Sequence, residues 1–197
     1  MGIAVVFSGV GGQGVVVLSD IFCEAALLDG FDVAKAEVHG MAQRGGSIVA
    51  HAQIGQKVDS PLIERGRADI VLGFEILETA RAIPMLKRDG TVVVNTKYLK
   101  PSATVDSVSN TFTQESLMNM IKKNARAVHA IDGFDIATKL GNLLVVNTIL
   151  LGALSALPEN PVRRESFEKA ISSRLKQKYV ELNLKAFQKG RESVVLG

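Results

Sequence analysis

A run of β-prone apolar residues at 3–7 (Ile-Ala-Val-Val-Phe) passes directly into Ser-Gly-Val-Gly-Gly-Gln-Gly at 8–14, and then into a helical run at 15–28 that stops at Asp29-Gly30. Strand, glycine turn and helix in that order confine the chain to few folds, because such a unit is completed by a crossover to another strand of the same sheet. Gly9, Gly11 and Gly14 have the spacing G-x-G-x-x-G, and Glu37 lies 23 positions beyond Gly14, after a second strand-like run at 31–38. A turn of this kind aims unpaired N–H groups outward from a helix N-terminus, where an anion is held. The same glycines also serve simply to let the helix pack closely on the sheet. Both readings stand at this point.

Downstream the pattern repeats. Residues 47–54 alternate as a half-buried strand, antiparallel and near an edge, and 55–61 is turn chemistry followed by a short helix or turn at 62–66. A buried strand at 69–74, a helix at 76–87 stopping near Asp89-Gly90 and a β-branched strand at 91–95 follow. A strand at 104–108, a helix at 114–124, a strand at 127–131 and a helix at 134–157 come next, and Pro158 and Pro161 separate the last of these from a basic helix over 165–189. Alternating strands and helices without a linker or repeat predict a single α/β domain over 1–197: a three-layer, mostly parallel, doubly wound, Rossmann-like sheet. In such sheets ligands meet the loops at the carboxyl ends of the strands, which puts residues 8–14 and 37–47 on the same rim.

The second of these stretches, Glu-Val-His-Gly-Met-Ala-Gln-Arg-Gly-Gly-Ser at 37–47, has neither helical nor strand period. Glu37, His39, Gln43, Arg44 and Ser47 offer an acceptor, a titratable ring, an amide, a guanidinium and a hydroxyl between glycines that let the backbone pass close to another surface. Arg44 suits a carboxylate or phosphate held by two parallel hydrogen bonds, or else an ion pair with Glu37 across the loop. His39 reads equally as a capping or packed ring and as a proton-transfer group, whereas His51 and His129, in strand-like contexts, read as structural. Glu75 and Glu78 follow a strand and face the same rim, with Glu75 in the role of a helix-start acid.

Composition removes several chemistries. With 47% apolar and 22% charged residues in 197, the chain buries a full core. The apolar run at 143–157 is interrupted by Asn147, Thr148, Gly152 and Ser155 and is short for a membrane span, and the first residues lack the basic region and cleavage site of a signal peptide, so a cytoplasmic protein is expected. One cysteine, Cys23, on an amphipathic helical run, makes no internal disulfide and cannot ligate an iron–sulfur cluster or a thiolate zinc site, and a buried thiol is the expectation. No metal site is read anywhere. Between 162 and 192, nine Lys or Arg face four Glu, a local +5 in a chain of formal charge +3. Apolar residues at helical spacing in the same segment assign those charges to the solvent side of a helix or to a partner-protein surface, and nucleic acid is set aside for want of a binding motif.

Four segments carry a family resemblance: 8–14, 37–47, Ala-Asp-Ile-Val-Leu-Gly-Phe-Glu at 68–75, and Asn-Thr-Ile-Leu-Leu-Gly at 147–152. Together, over about residues 1–157, they resemble the gamma-type subunit of 2-oxoacid:ferredoxin oxidoreductases, and the wording of 39–47 is most similar to the small (beta) subunit of indolepyruvate:ferredoxin oxidoreductase. The resemblance implies a complex that oxidatively decarboxylates a 2-oxo acid to an acyl-CoA and passes electrons to ferredoxin. Thiamine diphosphate with its magnesium, and the iron–sulfur clusters, are then held by partner subunits, no cofactor is bound tightly by this chain, and the chain alone is inactive. Carried onto this sequence, Gly9, Gly11, Gly12, Gln13 and Gly14 form the glycine turn, which binds coenzyme A, another anion or nothing. Glu37, His39, Gln43, Arg44 and Ser47 form the surface that meets the partner subunit or the path of coenzyme A.

A different class of function uses the same ingredients: a stand-alone NAD(P) oxidoreductase, with Gly9, Gly11, Gly14 and the acid after the second strand. A pure interaction module is the third. A surface meant for a partner and left open also favours a homodimer of the isolated chain.

Overall fold

The computed structural model describes residues 2–40, 46–99 and 113–195. In chain order these form β1 (Ile3–Val10), α1 (Val15–Leu28), β2 (Asp32–His39), β3 (Ser47–Gly55), β4 (Ala68–Gly73), α2 (Ile76–Ala82) and β5 (Leu86–Asn95). There follow α3 (Gln114–Asn124), β6 (Ala127–Ile131), α4 (Gly133–Lys139), α5 (Val146–Ser155), α6 (Arg164–Arg174) and α7 (Gln177–Val195). The strands make one sheet in the order β2-β3-β1-β4-β5-β6. β1, β4, β5 and β6 run parallel, while β3 is antiparallel to both β1 and β2.

Alternation along the strands sorts the core into two layers. Val5 and Phe7 of β1, Ile70 and Leu72 of β4 and Val93 of β5 pack with α1 and α4–α7. Ala4, Val6, Val71, Val92 and Val94 pack with α2 and α3 on the other face. Chain direction explains the division: from β1 the chain moves one way across the sheet through α1, and from β4 it moves the other way through α2 and α3, so crossovers of one hand place their helices on opposite faces. The larger layer is spanned by four tilted rings, Phe7–Phe22, Phe22–Phe167 and Phe167–Phe187, with centroids 5.6, 6.2 and 5.7 Å apart. The three-layer, mostly parallel, doubly wound sheet expected from the sequence is the one observed.

Several boundaries differ from the sequence reading. The helix expected over 76–87 ends at Ala82, gives way to a 3-10 turn at Ile83–Met85 that contains Pro84, and β5 begins at Leu86 instead of residue 91. The helix expected over 134–157 is two helices. α4 closes at Gly141, whose φ is 80°, with Gly141 and Asn142 N–H groups returning to Thr138 and Ala137 carbonyls, and Asn142 then caps the 3-10 turn Leu143–Val145. The basic helix expected over 165–189 is also two, divided at Leu175, which is extended and packs against the core. β3 is one place in from the edge, and β2 is the edge strand. The strand expected at 104–108 lies outside the described residues. Among the described residues no helix is long and apolar enough to cross a membrane.

Candidate functional site at the carboxyl rim of the sheet

The glycine turn is locked from within. Gln13 folds back so that its side-chain carbonyl accepts the Val10 N–H at 2.9 Å, while its own N–H donates to the Val10 carbonyl at 3.2 Å. Gly9 is the last buried residue of β1, and a Cβ there would sit 2.9 Å or less from Gln13, Val15 and Phe74. Gly14 starts α1 with φ 83°, and a Cβ on it would meet the Asn147 side chain at 2.7 Å. Close packing therefore accounts for Gly9 and Gly14. Gly12, by contrast, is exposed at the tip with open space around it. No side chain caps α1, so its first N–H groups have no intrahelical acceptor and its positive end faces the rim.

The second stretch is joined to the first. Gly11 N–H donates to the Gly46 carbonyl at 2.9 Å, and Gly40 N–H donates to the Ser47 carbonyl at 2.8 Å, closing the β2–β3 hairpin. The Ser47 hydroxyl donates to Glu78 at 2.5 Å, and Glu78, 4% exposed, also accepts from Arg81 at 2.5 Å. One end of the hairpin loop is thus pinned to the glycine turn and to the first turn of α2. Glu37 accepts from Lys35 at 2.6 Å and lies 3.2 Å from His39, and Lys35 reaches on to Asp20 of α1. Gln43 and Arg44 lie outside the described residues.

Between the turn and the neighbouring strand ends lies a cavity of about 270 Å³ lined by Gly12, Gln13, Gly14, Phe74, Asn95 and Phe134, with Leu143, Leu144, Val146 and Asn147 closing it. It lies beyond the carboxyl ends of β1, β4 and β5, where the chain leaves β1 and β4 in opposite directions and doubly wound sheets hold ligands. Asn95, 1% exposed, donates to the Phe74 carbonyl at 3.0 Å and accepts from Gly133 N–H at 3.2 Å, fixing the wall. Glu75 caps α2 as expected for a helix-start acid, and at 1% exposure it is fully buried. Burial pushes its carboxyl above the usual range despite N–H groups of Glu78, Leu77 and Leu99 that hold it down. Asn95 and Phe134 are not among the site residues read from the sequence, although Asn95 ends β5 and Phe134 lies just beyond β6, where the rim rule finds both. Asn147 opens one of the four segments that carry the resemblance, and the docking of α5 brings it to Gly14.

The dinucleotide ingredients do not come together. A ribose-binding acid belongs at the end of the strand next to β1, but β3 is interposed, so β2 runs two strand spacings away, roughly 10 Å. Glu37 is moreover shared between Lys35 and His39. His51, read as structural, is buried, accepts the Ile63 N–H at 3.2 Å, and is pushed down in pKa by burial.

The family model described as pyruvate ferredoxin/flavodoxin oxidoreductase matches residues 4–193. The chain belongs to the pyruvate ferredoxin/flavodoxin oxidoreductase family. Within the family it is 36% identical over 182 residues to indolepyruvate oxidoreductase subunit IorB of Methanothermobacter thermautotrophicus, covering 92% of each chain. It superposes on the keto/oxoacid ferredoxin oxidoreductase gamma subunit of Geobacter sulfurreducens with TM-score 0.74 and 26% identity, over 99% of each chain. The fold also recurs, with TM-score 0.77 at 17% identity, over 31% of the 2-oxoglutarate:ferredoxin oxidoreductase chain of Magnetococcus marinus, solved with 2-oxoglutarate, coenzyme A and succinyl-CoA bound. The gamma-type resemblance read in the sequence is borne out, and membership of this oxidoreductase family, with the interposed β3, disfavours the stand-alone NAD(P) reading.

Proposed function

We propose that this chain is the gamma-type subunit of a cytoplasmic 2-oxoacid:ferredoxin oxidoreductase that converts an aryl pyruvate to the acyl-CoA, with carbon dioxide leaving and the electrons passing to ferredoxin. Thiamine diphosphate, its magnesium and the iron–sulfur clusters sit on partner subunits, for this chain's single thiol cannot ligate a cluster. Its own contribution is a surface. Gly9, Gly11, Gly12, Gln13 and Gly14 hold the positive end of α1 toward the rim, and Glu37, His39, Gln43, Arg44 and Ser47 meet the thiamine-binding subunit or the path of coenzyme A. The observation that supports this reading above the others is the Gly11–Gly46 hydrogen bond, because it joins the glycine turn to the described end of the second polar stretch.

In that role Arg44 pairs with an anionic group that this chain does not contain, a substrate carboxylate, a coenzyme A phosphate or a partner carboxylate. The test is reconstitution with the thiamine-binding subunit and assay of ferredoxin reduction with indolepyruvate, pyruvate and 2-oxoglutarate. The isolated chain is expected to be inactive. Arg44→Ala is expected to lower assembly or turnover by on the order of ten- to hundredfold, the worth of a hydrogen-bonded charge. Turnover by this chain alone, or an Arg44→Ala complex unchanged in both assembly and rate, overturns the reading.

A further inference from the structure

β2 ends the sheet, and among the described residues no strand pairs with its outer edge, which is long and unbroken. Its register with β3 runs from Asp32 to His39 without a shift, and it contains no proline. Natural edge strands of this length are commonly shortened, bulged or covered, because free N–H and C=O groups are a template for another strand. The Gly40–Ser47 hydrogen bond fixes which residues face outward. Even-numbered residues of β2 bond to β3, so Val33, Lys35, Glu37 and His39 direct their N–H and C=O groups to the outer edge, where the Val33 N–H meets the exposed Asp32 carboxylate at 3.0 Å.

We propose that two copies of this chain pair antiparallel through β2, with Ala36 on the two-fold axis, to make one continuous sheet. Charge selects this register. With Ala36 on the axis, Lys35 lies opposite Glu37 of the second copy, and Glu37 opposite its Lys35, so the opposite-charge pair is made twice across the self-complementary interface. Sliding by two residues one way sets Lys35 against Lys35, and the other way Glu37 against Glu37. Sliding by one sets outward-facing groups against inward-facing ones. The same register lays Val38, 54% exposed, against Ala34 of the second copy, on the sheet face where Ala34, Ala36 and Val38 form a small apolar strip. The self-association expected from the sequence is thereby assigned to the sheet edge and not to the rim, and it stands whether or not the rim serves the proposed complex.

The full chain tests this alone, with no partner or substrate. Residues on the axis form a non-hydrogen-bonded pair with Cα atoms about 4.5 Å apart, within the span a disulfide bridges. Ala36→Cys is expected to cross-link to a covalent dimer under mild oxidation, and Ala34→Cys is not. The native Cys23 stays out of the reaction, being 8% exposed with its thiol pushed up to about 12 by burial. In sedimentation equilibrium, Glu37→Lys and Lys35→Glu are each expected to weaken the dimer by roughly tenfold or more. An equal mixture of the two is expected to restore it, since every facing pair is again of opposite charge. Should Lys35→Glu fail to fold for loss of its contact with Asp20, the two cysteine variants and Glu37→Lys decide. A wild-type monomer at every concentration, cross-linking of Ala34→Cys as readily as Ala36→Cys, or a dimer indifferent to Glu37→Lys overturns the proposal.

Discussion

Glu75 shows how one side chain at the rim is held at a cost. Its two oxygens accept the N–H groups of Leu77 and Glu78 and so start α2, and the helix is drawn so close to β4 that a Cβ on Gly73 would overlap Thr79. Burial raises the Glu75 carboxyl, and the neighbouring Glu78 charge raises it further, above the ordinary value of 4.5. The folded protein therefore holds this proton more tightly than the unfolded chain does, and Glu75 withdraws stability as pH rises from 4.5 toward its folded value. Glu75→Gln keeps an acceptor and removes the ionisation. Its Tm relative to wild type is expected to climb in thermal melts as pH rises above 4.5, and a constant difference refutes the assignment. The sequence offered Glu75 as a helix-start acid, and that role is found. Its burial was not legible, because it depends on how closely α2 lies on Gly73.

At the scale of elements, the decisive contact is the crossing of α5 and α7. A Cβ on Gly190 would fall 1.8 Å from the Ile149 carbonyl oxygen, and one on Gly152 would fall 2.0 Å from that of Phe187. These are backbone atoms and cannot swing aside. Because the added Cβ meets backbone, Gly190→Ala is expected to cost about 3 kcal/mol through overpacking, which outweighs the roughly 1 kcal/mol gained in helix propensity. A Tm unchanged or raised on calorimetry contradicts that close crossing. The basic segment follows the same logic. Arg163 bonds Asp29 and Arg174 bonds Glu24, so two of its cations reach from α6 to the end and the body of α1 while their guanidinium groups stay exposed, in keeping with a solvated face. Helical spacing of Phe167, Ile171, Leu175 and Leu182 made one long helix the natural reading. The break at Leu175 carries neither glycine nor proline, and it serves to send α7 across α5.

For the whole molecule, strand order outweighs motif. G-x-G-x-x-G and a later acid are present, but the antiparallel β3 separates β2 from β1 and so carries Glu37 away from the glycine turn. NADH and NADPH are accordingly expected to leave the Tm unchanged at millimolar concentration. A ligand bound only by the native state raises stability by RT ln(1 + [L]/Kd), so a clear upward shift with either dinucleotide contradicts this reading of the rim.

The amino-acid order determined the alternation of strands and helices, the half-buried alternation of β3, and the stop of α1 at Asp29-Gly30. All of these are local, because periodicity and the conformational freedom of glycine act within a few residues. The hydrogen bond from Gly11 to Gly46 that joins the two rim stretches, the insertion of β3 between β1 and β2, the helix break at Gly141, the seat of Asn147 against Gly14 and the unpaired edge of β2 were decided only by the tertiary structure. Each depends on which distant segments become neighbours, and that is set by hydrogen-bond pairing and side-chain packing across the sheet, which no short window of sequence contains.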